Sequence, residues 1–355
     1  GLKLGPDSVA LVTGAAGGIT AAIVGDLARE SRATFYLMDL APAPDAGNPD
    51  LARIATDREG LRNDLFARMK ATGERVTPAQ VERVLAGLER DAAVLSAIRT
   101  IEGAGGKVHY RSVNVMDPAA VAAVVDEVRA AHGRIDLVLH AAGLERSKLL
   151  ADKPAEEFDR IFDVKVYGVL NVLRAAEGMP IGALVSFSSV AGRFGNGGQT
   201  DYSSANDFLC KAMLGLGRSR PETRTLAIDW TAWGGMGMAT RGSIPEMMRR
   251  AGIDMLDPAE GLPVIRHELE AAHRGELVVG GNLGMLVQGK EPDGGLDLEA
   301  VAARLDQRLP MLGRVLGMDL YGGLAIEALL DPAQEPFLRD HAIDGVPVLP
   351  GVMGL

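Results

Sequence analysis

The stretch Ser8-Val-Ala-Leu-Val12-Thr13-Gly14-Ala-Ala-Gly17-Gly18-Ile19-Thr20 is the strongest indication of the fold. Its short apolar run, bounded by glycine, predicts a buried strand, and residues 21–29 behind the glycines predict a helix. Gly14 permits a tight turn, and Gly18 lets the backbone approach a pyrophosphate at the helix N-terminus. Strand, glycine loop and helix in this order predict a dinucleotide-binding unit, although an ordinary strand-turn-helix shares the order.

Further short apolar runs alternate with helical segments, which is the pattern of a doubly wound parallel sheet. The later strands are predicted at 34–38, 107–113, 135–140, 183–187, 225–229 and 276–280. The sequence therefore predicts an α/β, Rossmann-like domain over residues 1–287, with a helical insertion after the second strand at about 42–106. We interpret the insertion as a structural elaboration or a docking face. A linker rich in Gly, Asp and Glu is predicted at 288–315, before a separate C-terminal segment.

The composition excludes several classes of function. A net charge of −10 without a basic run argues against nucleic-acid binding. Apolar runs are short and no signal peptide is visible, so we expect no membrane span and a cytoplasmic location. The single cysteine, Cys210, excludes an intramolecular disulfide and a cysteine-rich metal site, and no metal is expected. The missing initiator Met and the pattern interrupted at Leu355 suggest a fragment of a longer protein.

Residues near the predicted strand ends are candidates for holding a nicotinamide cofactor. Asp39 is expected to bond the ribose hydroxyls of NAD and to repel the 2′-phosphate of NADP; a simple turn residue is the alternative. Small residues at 141–143 leave room for a ligand in the crevice of a parallel sheet. The full set of candidates is Thr13, Gly14, Gly17, Gly18, Ile19, Asp39, Asn114, Val115, Ala141, Ala142 and Gly143.

A second stretch, residues 188–206, carries the candidate chemistry. It leaves a predicted strand near Ser189, crosses a glycine-rich loop and enters a helix at Tyr202. A hydroxyl and a phenol delivered to one place suggest proton donation to a carbonyl. Lys165 stands among valines on the predicted helix 158–176, where burial of an unpaired lysine would be costly. We interpret His140 as a strand-end residue with satisfied hydrogen bonds rather than as a catalyst.

These motifs together resemble one family. They resemble the ketoreductase domains of type I polyketide and polyunsaturated fatty acid synthases, which are extended short-chain dehydrogenases/reductases. The resemblance covers about residues 8–285 and rests on Thr13-Gly14-x-x-Gly17-Gly18, His140-Ala-Ala-Gly143, Lys165, Ser189, Tyr202 and Asn206. General short-chain reductases carry Tyr-x-x-x-Lys. Here Asn206 takes the place of that lysine and Lys165 stands upstream, an exchange typical of the synthase domains.

The resemblance implies reduction of a carrier-bound β-ketoacyl thioester to the β-hydroxyacyl thioester by hydride from NAD(P)H. Tyr202 would donate the proton, Ser189 would orient the carbonyl, and Asn206 would fix Lys165 or a relay water. The Lys165 ammonium is expected to bring the pKa of the phenol toward working pH. The implied partners are an acyl carrier protein bearing a phosphopantetheine-bound substrate and the neighbouring synthase domains.

Several departures from the family keep alternatives open. The family places an Arg after the second strand to hold the 2′-phosphate of NADPH, whereas this chain has Asp39, so NADH is possible. The two marks of product configuration are replaced, one around Glu145-Arg146-Ser147 and the other at Phe194, so the configuration stays open. The alternative functions are a non-catalytic, structural reductase-like domain and an NAD-dependent dehydrogenase of free small alcohols or ketones.

Two further segments carry expectations. Residues 230–238, rich in Gly and Met with two Trp, predict a lid over an apolar substrate, with core packing of the Trp residues as the alternative. Residues 316–355 resemble the start of a hot-dog dehydratase, through His341-x-x-x-Gly345-x-x-x-x-Pro350, in which His341 would be the catalytic His. The acidic partner of that His is absent from the chain, so we expect no dehydration from it.

Overall fold

Seven strands pair in parallel to form one sheet in the order β3-β2-β1-β4-β5-β6-β7. They are β1 (Val9–Thr13), β2 (Thr34–Asp39), β3 (Lys107–Ser112), β4 (Ile135–His140), β5 (Ile181–Ser189), β6 (Arg224–Trp230) and β7 (Gly275–Val279). This computed structural model describes residues 1–71, 76–237, 244–288, 296–304, 313–319 and 323–351. The chain divides into two units, Gly1–Met285 and Leu286–Leu355, and the sheet belongs to the first.

Strand β1 lies between β2 and β4, so the order of strands reverses there. Thr13, its last residue, is in register with Met38 on one side and His140 on the other. In open parallel sheets, ligands bind outside the carboxyl ends of the strands at such a reversal. The reversal therefore brings the glycine loop after β1, Asp39 and the small residues after β4 to one crevice, and the predicted Rossmann-like sheet is confirmed.

Helices cover both faces of the sheet, because its strands are apolar on both faces. The helices of the first unit that pack in this way are α1 (Gly18–Ser31), α4 (Pro78–Gly103), α5 (Pro118–His132), α6 (Ala155–Ala175), α8 (Thr200–Ser219) and α11 (Val264–Ala271). One core combines alternate strand residues with side chains of α1, α4 and α11. The other combines the remaining strand residues with side chains of α5, α6 and α8.

Three helices lie between β2 and β3: α2 (Pro49–Arg53), α3 (Arg58–Lys70) and α4. Thr77 and Gln80 form the predicted capping box at the start of α4, each side chain bonding the backbone N–H of the other. Leucines and other apolar residues of the three helices form a core of their own, which includes Leu61 and Leu85. The first half of α4 thus packs on α2 and α3, and its end reaches the main core through Ile101.

The structure differs from the predicted elements in the places that follow. The helix predicted at 258–272 is interrupted, giving α10 (Pro258–Gly261) and α11. The break falls at Pro263, which has no N–H for the helical ladder. An unpredicted short helix, α7 (Val190–Phe194), follows β5 directly. Another short helix, α9 (Ile244–Arg250), follows β6.

The second unit has only short elements among its described residues: α13 (Leu298–Arg304), an antiparallel hairpin of β8 (Arg314–Asp319) and β9 (Gly323–Glu327), α14 (Pro336–Arg339), and a two-residue strand pair, β10 (Ala342–Ile343) with β11 (Val346–Pro347). Helix α12 (Met285–Gln288) spans the division. His341 Nδ1 lies 2.9 Å from the Val348 carbonyl oxygen, a contact that closes the turn between β10 and β11. The predicted hot-dog fold stays a prediction. No helix among the described residues is long and apolar enough to cross a membrane.

Candidate active site

The four candidate catalytic residues come together at the carboxyl side of β5. Lys165 is on α6, Ser189 ends β5, and Tyr202 and Asn206 lie one turn apart on α8. The Lys165 Nζ atom lies 5.5 Å from the centroid of the Tyr202 ring. Ser189 and Asn206 lie close enough to the phenol to oppose the rise in its pKa. The four residues, which lie on three separate elements of the chain, thus lie close together in the fold.

Lys165 is a buried cation held by a backbone carbonyl. Its side chain belongs to a residue that is 3% exposed, and Nζ donates to the Phe187 carbonyl oxygen at 2.8 Å. Burial lowers its pKa to about 8, although the neighbouring acidic groups Cys210 and Asp229 oppose the shift. A Cβ at Gly143 would lie 2.9 Å from Lys165 Cε. Gly143 therefore makes room for the lysine side chain. The sequence predicts only a cofactor-binding role for this glycine.

Tyr202 is half-buried, and its phenol stays in the acid form. Burial raises the pKa of the phenol, and the neighbouring Ser189 and Asn206 side chains offset only part of the rise. The net pKa of the phenol is therefore not lowered as predicted, because desolvation outweighs the attraction of an ammonium that lies over the ring and donates to the Phe187 carbonyl oxygen. A protonated phenol is the form that donation to a carbonyl requires.

Ser189 also has a structural role. Its Oγ accepts a hydrogen bond from the Ala191 N–H at 3.2 Å and so caps α7. A hydroxyl has one donor and two acceptor lone pairs. Capping uses an acceptor lone pair, so the Ser189 proton can still be donated, and the capping and substrate-orienting roles are compatible.

Asn206 is fully buried, and no hydrogen bond among the described residues joins it to Lys165, so the other predicted role, fixing a relay water, stays a prediction. Its Nδ2 donates to the Tyr202 carbonyl oxygen, one turn back on the same helix, at 2.8 Å. Its Oδ1 is buried and has no hydrogen-bond partner among the described residues. A Cβ at Gly192 would come within 2.7 Å of Asn206 Cβ, so a glycine there lets α7 approach α8.

The glycine loop after β1 fits a dinucleotide phosphate. Gly14 has φ +69°, and a Cβ there would lie 2.7 Å from the backbone of Ala141 and Ala142. Helix α1 begins with Gly17 as N-cap, without a side-chain cap and without an acidic residue in its first turn. At Gly18 nothing lies within 4 Å of an added Cβ. Uncapped N–H groups and open space suit an anion at this helix start.

Thr13 and His140 join the ends of β1 and β4 to α6 by hydrogen bonds. His140 is fully buried, and burial together with the Lys165 charge lowers its pKa to about 3, so the ring is neutral. Its Nε2 donates to the Lys165 carbonyl oxygen at 2.9 Å, and Nδ1 therefore accepts from the Thr13 hydroxyl at 2.8 Å. The same hydroxyl accepts from the N–H groups of Ala141 and Ala142. His140 is thus a satisfied structural residue, as interpreted, and it fixes the backbone at Lys165.

Asp39 uses both carboxylate oxygens on backbone groups. Oδ2 accepts from the Ala16 N–H and Oδ1 from the Ala41 N–H, each at 2.9 Å. The carboxylate therefore joins the glycine loop to the turn after β2, as a turn residue would. Each oxygen has a second lone pair, which a ribose hydroxyl could use.

The remaining candidates flank the same crevice. Asn114 Oδ1 accepts from the Met116 N–H, which shapes the turn after β3. The Val115 carbonyl accepts from Asn171 Nδ2 at 2.9 Å, so this buried asparagine ties the turn to α6. A Cβ at Gly237 would lie 2.6 Å from Ile19, so the segment after β6 passes over the glycine loop.

The two Trp residues of the predicted lid belong to the core. Trp230 and Trp233 are buried, with ring centroids 5.1 Å apart, and Phe187 packs edge-on against Trp230. Their burial agrees with the alternative interpretation of this segment, in which the Trp residues pack in the core. Met238, at the end of the predicted lid, lies outside the described residues.

A cluster of three acidic side chains near Lys165, two of them buried, was not predicted. Ligand atoms of Cys210, Asp229 and Glu276 lie within 4.8 Å of one another. The Cys210 thiol donates to Asp229 Oδ1 at 3.3 Å, and burial raises the pKa of this thiol. A metal would need the thiolate, so the geometry favours a shared hydrogen-bonded cluster. An Asp within an apolar strand was the signal that sequence reasoning passed over.

Asp229→Asn is expected to remove a pH dependence of stability. Burial raises the pKa of Asp229 to about 7, from about 3.9 in an unfolded chain. The protonated Asp229 carboxyl therefore contributes its full share to the free energy of unfolding below about pH 4. This contribution is lost as pH rises through about 7. The loss amounts to at most about 4 kcal/mol for a shift of about three pH units.

Urea unfolding at about pH 5 and about pH 8 measures this dependence. The exposed Asp126→Asn protein, changed on α5, is the matched control and should follow the unmodified chain. If Asp229→Asn loses as much unfolding free energy between the two pH values as the control, the buried carboxyl is not the titrating group.

The fold and the site together define a nicotinamide-dependent oxidoreductase of the short-chain type. Residues 8–235 match the KR domain family, so the chain belongs to that family. The predicted ketoreductase, which reduces a β-ketoacyl group to a β-hydroxyacyl group with a nicotinamide cofactor, is thereby confirmed.

This chain spans only part of the length of the relatives that it matches. One subunit of the polyunsaturated fatty acid synthase of Thraustochytrium sp. (strain ATCC 26185 / S-3) is 28% identical over 284 residues, which are 78% of this chain and 10% of that protein. The 3-oxoacyl-[acyl-carrier-protein] reductase FabG of Thermotoga maritima is 36% identical over 114 residues, 31% of this chain and 46% of that protein.

Solved structures show the same fold at low sequence identity. An N-terminal ketoreductase from the macrolactin assembly line is 19% identical, with a TM-score of 0.59, and the match covers 81% of this chain and 47% of that chain. A putative dehydrogenase from Burkholderia cenocepacia with bound NADP is 14% identical, with a TM-score of 0.59, and the match covers 79% of this chain and 95% of that chain.

Proposed function

We propose that this chain is the ketoreductase step of a multidomain synthase and reduces a β-ketoacyl thioester carried on the phosphopantetheine arm of an acyl carrier protein. The observation that carries this proposal is the cluster at Tyr202, in which the cation comes from α6 and Asn206 follows one turn later on α8. The synthase relative supports the setting, since this chain matches only 10% of that protein. Neighbouring synthase domains and a cytoplasmic location are part of the same proposal.

The proposed chemistry assigns one task to each residue. The nicotinamide, when bound, supplies the hydride. Tyr202 donates its proton to the ketone oxygen, and Ser189 donates a hydrogen bond to the same oxygen and orients it. The phenolate left on Tyr202 is stabilised by the Lys165 ammonium 5.5 Å from the ring centroid. The buried Oδ1 of Asn206 offers an acceptor that would orient a relay water, and that water would return a proton to the phenolate.

The cofactor would lie across the reversal of strand order. The uncapped start of α1 would hold the pyrophosphate, and residues 141–143 would line the nicotinamide side. NADPH is the expected cofactor of the family. NADH is the second candidate, because the Asp39 carboxylate stands where a 2′-phosphate would need a cation.

The proposal also assigns a domain to each part of the chain, including the second unit. Residues 1–287 would form the reductase and residues 42–106 its insertion. Residues 288–315 would form a linker, and 316–355 would begin a hot-dog dehydratase domain with His341 as its catalytic His. The motif His341-x-x-x-Gly345-x-x-x-x-Pro350 supports this assignment.

Cofactor oxidation with two matched substrates tests the proposal. One is a β-ketoacyl group on a carrier protein, and the other is a free ketone of the same length, each offered with NADPH and with NADH. We expect kcat/KM at least about tenfold higher for the carrier-bound substrate, because remote binding energy lowers the barrier. Turnover of the free ketone alone would indicate a small-molecule dehydrogenase, and failure to bind either cofactor would indicate a structural domain.

A further inference from the structure

The start of the Tyr202 helix is joined to a loop that follows the cofactor strand β4. This segment, residues 144–153, is called here the clamp loop. The Lys148 N–H donates to the Gly198 carbonyl oxygen at 2.8 Å. Gln199 Nε2 donates to Glu145 Oε1 at 2.9 Å and to Ser147 Oγ at 3.1 Å. The clamp loop therefore lies against the last residues before α8.

An ion pair between Lys153 and Asp201 lies beneath these contacts. The two side chains are 0% and 1% exposed, which no other ion pair among the described residues matches. Lys153 Nζ also donates to the Arg146 carbonyl oxygen at 2.9 Å. Asp201 Oδ1 accepts from the Tyr202 N–H at 2.8 Å. The pair thus connects two points of the clamp loop to the backbone of the proposed proton donor.

A buried ion pair is weak evidence for stability, because desolvation of two charges offsets much of their attraction. Such a pair can instead select one arrangement of the elements that it joins, since a shifted register would leave a buried charge unpaired. The elements here are the strand end that lines the proposed cofactor crevice and the helix that carries Tyr202. A shift between them would change the distance from the phenol to a substrate oxygen, and displacement of about 1 Å can cost about 10²-fold in rate.

We infer that Lys153 and Asp201 are positioning residues that hold Tyr202 at a fixed distance from the cofactor crevice through the clamp loop. The inference rests on the proposed function of Tyr202. The pair touches neither the ketone nor the cofactor in this role. It acts on kcat through the register of α8, and it leaves the cofactor site after β1 unchanged.

The test compares three proteins with the unmodified chain. Lys153→Met leaves Asp201 unpaired, and the double variant Lys153→Met/Asp201→Asn removes both charges while an amide oxygen still accepts from the Tyr202 N–H. Lys211→Met is the matched control, because Lys211 pairs with Asp207 on the exposed side of the same helix. Each protein is assayed for kcat, for KM, for cofactor dissociation constant and for melting temperature.

The double variant is the decisive protein. We expect it to melt within a few degrees of the unmodified chain, to bind cofactor equally well and to lose kcat by about 10- to 100-fold. Amide hydrogen exchange at Lys148 should be faster, because its bond to Gly198 is no longer held in register. Unchanged kcat and unchanged exchange in a folded double variant would overturn the inference. Since exchange is read without substrate, this outcome is distinguishable from failure of the Tyr202 assignment itself.

Discussion

Replacing Tyr202 by phenylalanine is expected to lower kcat for ketone reduction by about 10²- to 10⁴-fold, with KM and melting temperature nearly unchanged. The change deletes only the buried phenol oxygen and keeps the ring beneath Lys165. Because burial raises the pKa of this phenol, it is fully protonated at neutral pH and is the proton source that the ketone oxygen would meet. Steady-state oxidation of the cofactor measures the loss.

A second tyrosine provides the matched control for this experiment. Tyr167 is on α6, two residues from Lys165, but its side chain faces outward and is 44% exposed. Tyr167→Phe should retain the activity of the unmodified chain. Full activity of Tyr202→Phe would show that the proton comes from another group, and comparable losses in both proteins would indicate a structural effect.

The sheet, the glycine loop and the proximity of the four candidate catalytic residues could be predicted, because each rests on a sequence pattern; the catalytic roles of the four residues stay a prediction. Strands buried on both faces give short apolar runs, and a loop that approaches phosphate needs glycine within a few positions. The four site residues follow from spacing and resemblance. These features needed no knowledge of which segments meet in space.

The contacts that arrange the site could not be predicted, because they join residues far apart in the sequence. Lys153 and Asp201 are 48 positions apart, and nothing local marks them as partners. The space that Gly143 leaves for Lys165 depends on how α6 lies on β4. The direction of the Asn206 amide and the two backbone bonds of Asp39 likewise depend on tertiary packing. Sequence reasoning therefore named Gly143, Asn206 and Asp39 but not their contacts, and it did not name Lys153 or Asp201 at all.

The pH dependence of the reduction should depend on Lys165. Its ammonium is the form that stabilises a phenolate, and burial lowers its pKa to about 8 from the usual value of about 10.4. Lys165 is therefore fully protonated at low pH, and it loses its charge as pH rises through about 8. We expect kcat to fall by about tenfold per pH unit above that value. The phenol of Tyr202 titrates at higher pH, since burial raises its pKa, so it is not the source of this decline.

Lys165→Met tests this assignment by removing the charge and keeping an unbranched side chain of similar length. Loss of one preorganised charge beside the reacting group typically costs about 10²- to 10³-fold, so kcat should fall by that factor and lose its decline above pH 8. The melting temperature should fall by only a few degrees, because removal of the buried cation also removes its desolvation cost, which offsets the hydrogen bond lost at the Phe187 carbonyl. Lys211→Met, changed at an exposed lysine of α8, should keep both the rate and the pH profile. If Lys165→Met retains the decline through pH 8, another group controls it, and the stabilisation of the Tyr202 phenolate cannot be attributed to Lys165.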